Sequence, residues 1–338
     1  MSKKVNEEVV EEVKEEKAEE VKDMNALLPG ATPIEKPTPE TPAYEDSIEE
    51  ARLAFTKKFK VGRRNSYIAM GVLLLLAVGA VVCIGMNGMG WKIAGWSLVG
   101  TAVVGMLLYY ILTRNIVPNA TKEYISVVNY QLNMRNYADN RFTDVSTDKN
   151  EKIELADPIS DAIFKDLNHI ASRNVINGHF VGRSFKVADL GVYSGQGRSR
   201  TSAFVGKYIS YPNDLHFEGR YILVSKGVAP VDLPTDIEDL VVLSEEDNFV
   251  IYGKEGNKPA SDLGKDFLES IKKIRVENHL LNVDVVIWGG HTSIYASYDD
   301  KIMTLPYQEK YDKEPNEQFA NNLIAYFEAL ALLVKKEK

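Results

Sequence analysis

The side chains best placed to exchange protons near neutral pH are five histidines, His169, His179, His216, His279 and His291. No two of them stand at the i, i+4 spacing by which one helix face offers a metal two ligands. Cys83 is the single cysteine, so neither an intramolecular disulfide nor a cysteine-based zinc site can form within the chain. These spacings imply no metal and no cofactor. His169, beside Asp166, reads as part of a solvent-facing helix surface. His291 follows Trp288-Gly289-Gly290 between two predicted strands. Its plain reading is a turn residue; its catalytic reading is a general base oriented by Asp284 or Asp299.

Two glycine-flanked stretches resemble known catalytic loops only in outline. Gly191-Val192-Tyr193-Ser194-Gly195 puts two residues between the first glycine and the serine, where a nucleophile elbow has one, and it precedes a strand rather than a helix. Gly195-Gln196-Gly197, with Arg198 and Arg200, has the look of a phosphate loop but lacks the third glycine and the following helix. A hairpin turn accounts for it. Arg198 and Arg200 are nonetheless candidates for holding an anion, either a ligand or a phospholipid headgroup.

The elements that must position these residues begin with two apolar runs. Tyr67 to Met86 and Ile93 to Leu112 are each about twenty residues long, enough at ~1.5 Å per residue to cross ~30 Å of hydrocarbon. Neither contains Asp, Glu, Lys, Arg or His. A short linker makes them an antiparallel hairpin, read as an anchor because an ion path calls for charged groups within the spans. Lys57, Lys58, Lys60, Arg63 and Arg64 precede the first run, Arg114 and Lys122 follow the second, and the tip carries only Lys92. That asymmetry places both termini in the cytoplasm. Lys57, Lys58, Arg63 and Arg64 are candidates for contact with lipid headgroups. Tyr67, Trp91, Trp96, Tyr109 and Tyr110 sit near the span ends, where amphipathic rings favour the interface. Ser97, Thr101 and Gly105 form a small-residue stripe, read either as packing within the hairpin or between copies or as ordinary filler of an apolar span.

Four regions follow from this pattern. Residues 1–43 read as a disordered arm, acidic at first and then Pro-rich. Residues 44–65 read as an amphipathic, basic juxtamembrane helix lying along the membrane surface, the other reading being that it continues the first span. Residues 66–113 are the transmembrane hairpin, and residues 114–338 a cytoplasmic domain. Within that domain helices are predicted over Thr121–Tyr137, Ala156–Ser172, Ser261–Val276 and Pro315–Val334, with Asp139–Glu154 as polar turns. Strands are predicted over His179–Tyr193, Ser202–Ser210, Leu215–Ser225, Leu240–Leu243, Phe249–Tyr252, Val283–Trp288, Thr292–Ser297 and Ile302–Leu305. Strands in runs with helices around them give an α+β class with a mainly antiparallel sheet.

Phe204-Val205-Gly206, Phe217-Glu218-Gly219-Arg220, Asn248-Phe249-Val250-Ile251-Tyr252 and Ser293-Ile294-Tyr295-Ala296 follow the hairpin in that order. Over roughly Thr121 to Lys336 the chain resembles a bacterial membrane-protein family of unknown function, number 3137. The resemblance implies a membrane-anchored soluble domain and transfers no activity or catalytic residue. Pro259 to Gly264 lacks the arginine that the family pattern has there. The net charge of −8 argues against a nucleic-acid partner. The expected partners are the lipid bilayer and a protein, either a different one or a second copy of this chain. Together these features suggest a membrane-anchored cytoplasmic interaction or sensing module; an enzyme for a membrane-proximal substrate and an accessory subunit of a membrane complex are the alternatives.

Overall fold

The computed structural model describes residues 31–37, 44–113, 116–148, 150–154, 161, 163–164, 167–195, 201–226, 240–245, 249–277, 282–297, 310–311 and 314–334. The acidic part of the expected arm, Arg198, Arg200, His279, Asp299 and the strand expected at Ile302–Leu305 lie outside these residues. The chain divides into two compact units, one of Thr38–Arg135 with Thr304–Glu314, the other of Met1–Pro37, Asn136–Met303 and Pro315–Lys338.

The first unit is built on three helices: α1 (Tyr44–Gly85), α2 (Met89–Thr113) and α3 (Ile116–Asn136). The surface helix expected at 44–65 is corrected, because α1 runs unbroken for 42 residues, ~63 Å, through the first apolar run. Its sequence explains why. Ile48, Arg52, Phe55, Phe59, Gly62, Ser66, Ala69, Leu73, Leu76, Ala80 and Cys83 are buried or half-buried, and they recur alternately every four and three residues. A 3.5-residue repeat keeps one seam against a neighbouring helix for the whole length. At the N-terminal end that neighbour is α3. Phe55 stacks on Tyr124 at 5.3 Å between ring centroids, amid Ile48, Ala120, Val128 and Leu132. The apolar side of residues 44–59 is therefore covered by protein.

Further along, the neighbour is α2. A side chain in place of Gly95 would start 2.6 Å from Ile84 Cγ1 and 3.0 Å from the Ala80 carbonyl, so glycine is what allows the two helices this close. Ser66 and Tyr109 share a hydrogen bond across the pair. The stripe of Ser97, Thr101 and Gly105 is exposed and lies outside this contact. Its hydroxyls bond back to their own helix, Ser97 to the Ile93 carbonyl (3.0 Å) and Thr101 to that of Ser97 (2.9 Å). Packing within the hairpin is thus not its role.

The second unit is a ten-stranded antiparallel sheet with helices: β1 (Ala31–Pro33), β2 (Phe142–Asp148), β3 (Leu167–Phe180), β4 (Arg183–Ser194), β5 (Thr201–Pro212), β6 (Arg220–Ser225), β7 (Leu240–Glu245), β8 (Phe249–Lys254), β9 (Asn282–Trp288), β10 (His291–Ser297), α4 (Pro259–Asp262), α5 (Lys265–Glu277) and α6 (Glu314–Ala331). The spatial order is β1-β2-β3-β4-β5-β10-β9-β6-β8-β7. On one face, Tyr211, Tyr221, Leu223, Ile251, Val285, Ile287 and Ile294 pack against Phe267 and Ile271 of α5 and Leu323 and Phe327 of α6. Phe327 touches the rings of Phe142, Phe180, Phe185 and Tyr211, at 4.8 to 5.8 Å between centroids. On the other face, Leu190, Val192, Phe204, Tyr208, Val286 and Tyr295 meet Ile153, Ile163 and Phe164.

The α+β class with an antiparallel sheet agrees with the sequence reading, but four local expectations are corrected. Part of the expected disordered arm, Ala31–Pro33, is an edge strand on β2, a position a sheet grants proline. The polar stretch 139–154 contains β2. The helix expected at Ala156–Ser172 gives way, from Leu167 onward, to a strand paired along its length with β4. A bulge between Arg173 and Ile176, with Asn174 at φ 50°, shifts the register, so that Ile170 and Val175 pack on the same face although five residues separate them. It also breaks the two-residue alternation that would have marked the strand.

The long strand expected at His179–Tyr193 is a hairpin, turning at Val181-Gly182 with φ of 49° and 76°. Two left-handed central residues match the right-handed twist of flanking strands. Asn or Gly usually takes both places, and a β-branched valine at the first is strained.

Candidate functional site

Strand alternation decides which polar groups converge. On β10, His291, Ser293 and Tyr295 alternate with Thr292, Ile294 and Ala296, and Ile294 and Ala296 belong to the helix-covered core. The first set therefore points to the opposite face, beside Tyr208 of β5 and Trp288 of β9. Asp161 descends onto this face and is 2% exposed. Its Oδ2 accepts from the Tyr295 hydroxyl at 2.5 Å and its Oδ1 from Trp288 Nε1 at 3.2 Å. Arg220 of β6 donates to the Asp161 carbonyl at 3.3 Å and lies 4.9 Å over the Trp288 ring. Ser293 Oγ stands 3.1 Å from His291 Nε2 and 3.4 Å from the Tyr208 hydroxyl.

The turn that starts β10 is itself pinned. Asn213 donates to the Trp288 carbonyl (2.9 Å) and to Thr292 Oγ1 (2.8 Å), and its Oδ1 accepts from the Gly290 N–H (3.0 Å). His291 thus projects from a fixed position on the rim of the cluster, half-buried.

Burial pushes the Asp161 carboxyl above the usual range. Bonds from Tyr295, Ser293 and Trp288 and the nearby His291 pull it back in part. Burial lowers the Arg220 guanidinium, opposed by the charge of Asp161. The order His291–Ser293–Asp161 matters chemically. In a hydrolytic triad the imidazole stands between serine and carboxylate. Here the hydroxyl is in the middle, an order that suits a proton relay rather than an activated serine nucleophile.

Of the sequence candidates, only His291 belongs to this cluster. Asp284 does not orient it. Asp284 pairs with Tyr295, four residues and ~13 Å along β10 from His291. Its Oδ1 accepts from the Ser225 N–H at 3.0 Å, closing β6 onto β9. Ser194 Oγ meets Thr201 Oγ1 at 3.0 Å on the exposed hairpin. His169 lies in β3 rather than on a helix, 5.8 Å from the Tyr193 ring. Arg198 and Arg200 lie outside the described residues. Lys57, Lys58, Arg63 and Arg64 line exposed parts of α1 in the other unit; Lys58 pairs with Glu123 at 2.6 Å. Among the described residues, no three His, Cys, Asp or Glu side chains gather as metal ligands.

The sequence reading missed Asp161, Tyr208, Asn213, Arg220, Ser293 and Tyr295. The alternation of His291, Ser293 and Tyr295 was the one available signal. Asp161 lies in the stretch predicted as a helix and is helical, so no strand alternation points to it. No family model, no curated protein and no solved structure matches the chain.

Proposed function

We propose that the chain is a membrane-anchored module: α1 and α2 cross a bilayer as a hairpin, and the antiparallel sheet domain works at its cytoplasmic face. One observation carries the reading. Both helices are long and apolar enough to cross a membrane, yet only 6% of each most apolar window is buried. A core helix of a water-soluble protein buries such a surface. Left in water, this one would hold Leu74, Leu75, Val81 and Trp96 exposed along with many others. Lipid is the solvent that removes the cost. The orientation rests on the basic flanks of α1 and α2. The sheet domain then serves as an interaction or sensing surface for a protein partner, in keeping with the resemblance to family 3137.

The topology is tested with a C-terminal tag. Protease added to intact cells is expected to leave the tag in place, and protease added to inside-out vesicles to remove it. Cleavage in intact cells contradicts the orientation.

The cluster around Asp161 favours a second reading, an enzyme for a membrane-proximal substrate with His291 as the proton carrier. His291→Ala separates the two. A module that works by docking tolerates the change, whereas a relay enzyme loses its turnover with its fold intact.

A further inference from the structure

A basic face lies on the turns of α1 just before its apolar run. Residues 51–122 contain nine Lys and Arg and no Asp or Glu, in a chain whose net charge is −8. Lys60, Arg63, Arg64 and Tyr67 stand at i, i+3, i+4 and i+7, and so share one face of the helix. All four are exposed. Arg63 donates to the Tyr67 hydroxyl at 3.0 Å and lies 5.5 Å over its ring, which fixes the guanidinium beside the first span. Lys58, by contrast, is engaged by Glu123.

We propose that the Lys60–Arg63–Arg64–Tyr67 face binds the phosphate of anionic phospholipid headgroups in the leaflet where α1 enters the membrane. The proposal rests on the anchor reading and adds a lipid class to it. Guanidinium groups match phosphate oxygens in a fork. The tyrosine supplies an amphipathic ring at headgroup depth. The seam of α1, at Phe59, Gly62 and Ser66, adjoins this face without including it, and the four side chains are left exposed toward lipid. The source is the bilayer rather than free phosphate because the cations adjoin the apolar run without a break in the helix.

The test uses the full chain in mild detergent, with retained lipid counted by native mass spectrometry. Phosphatidylglycerol, phosphatidylcholine and soluble glycerol 3-phosphate are offered separately. The wild-type chain is expected to retain phosphatidylglycerol in preference to phosphatidylcholine, and each of Lys60→Gln, Arg63→Gln and Arg64→Gln to lower that preference about fivefold. Lys58→Gln should leave it unchanged. Equal retention of the two lipids, or binding of glycerol 3-phosphate as tight as of the lipid, overturns the proposal. Flotation with phosphatidylcholine vesicles, run in parallel, reports anchoring alone. A chain that floats without preferring the anionic lipid loses only the headgroup site, and one that does not float loses both.

Discussion

The hairpin and the sheet domain use the same apolar residue types and treat them in opposite ways. In the sheet domain, Phe327 of α6 is fully enclosed by four aromatic rings. In the hairpin, Leu75 of α1 is 72% exposed, and its neighbours on that side are much the same. The difference lies in how much apolar surface each region covers with its own chain. A sheet with helices on one side removes its own apolar surface from water. Two helices alone cannot, because each offers one seam and leaves the rest of its circumference open. Leu73, Leu76 and Ala80 of α1 fill the seam; Leu74, Leu75 and Val81 do not.

Five substitutions at four positions break or sharpen the contrast. Phe327→Ala should be the most damaging, costing about 3–5 kcal/mol of sheet-domain stability, read by chemical denaturation in detergent. Leu75→Arg should matter in the membrane, with an insertion cost of about 2.5–3.5 kcal/mol, read as a loss of membrane-inserted chain. If Leu75 faced water instead, the change would be silent.

Asp161→Ala comes next. It removes the acceptor for Tyr295 and Trp288 and should cost about 1–3 kcal/mol, chiefly for the buried Tyr295 hydroxyl that loses its acceptor. The same residue sets a pH dependence. Its folded carboxyl lies above the unfolded value, so its contribution is fully present below the unfolded pKa and is lost as pH rises through the folded one. Denaturation midpoints should therefore gain an increment as pH falls through the folded value toward the unfolded one, and Asp161→Asn should abolish this increment. The smallest effect is a gain. Val181, 61% exposed at φ 49° in its two-residue turn, should stabilise the sheet domain by about 1 kcal/mol when replaced by Asn.

What could be read in advance follows the same division. The hairpin was legible because length and lack of charge are local properties. Its continuation into residues 44–65 was not resolved, since a basic amphipathic stretch suits both a surface helix and a packed one. Only the partner, Tyr124 of α3, decides between them. In the sheet domain, β9, β10 and the closing helix were legible from alternation and period. β3 was misread because Ile163, Phe164, Leu167 and Ile170 imitate a helical stripe, while the bulge at Asn174 hides the strand. Pairing with β2 and β4 overrides that local pattern. The polar cluster was illegible for a related reason. Asp161 and His291 are 130 residues apart, and only the sheet register brings their shared neighbour Ser293 into place.

The most direct test is an alkaline carbonate wash of membranes from cells making the full chain. An inserted hairpin keeps the protein in the pellet until detergent dissolves the bilayer. Release into the supernatant without detergent would mean that the exposed faces of α1 and α2 are covered by something other than lipid.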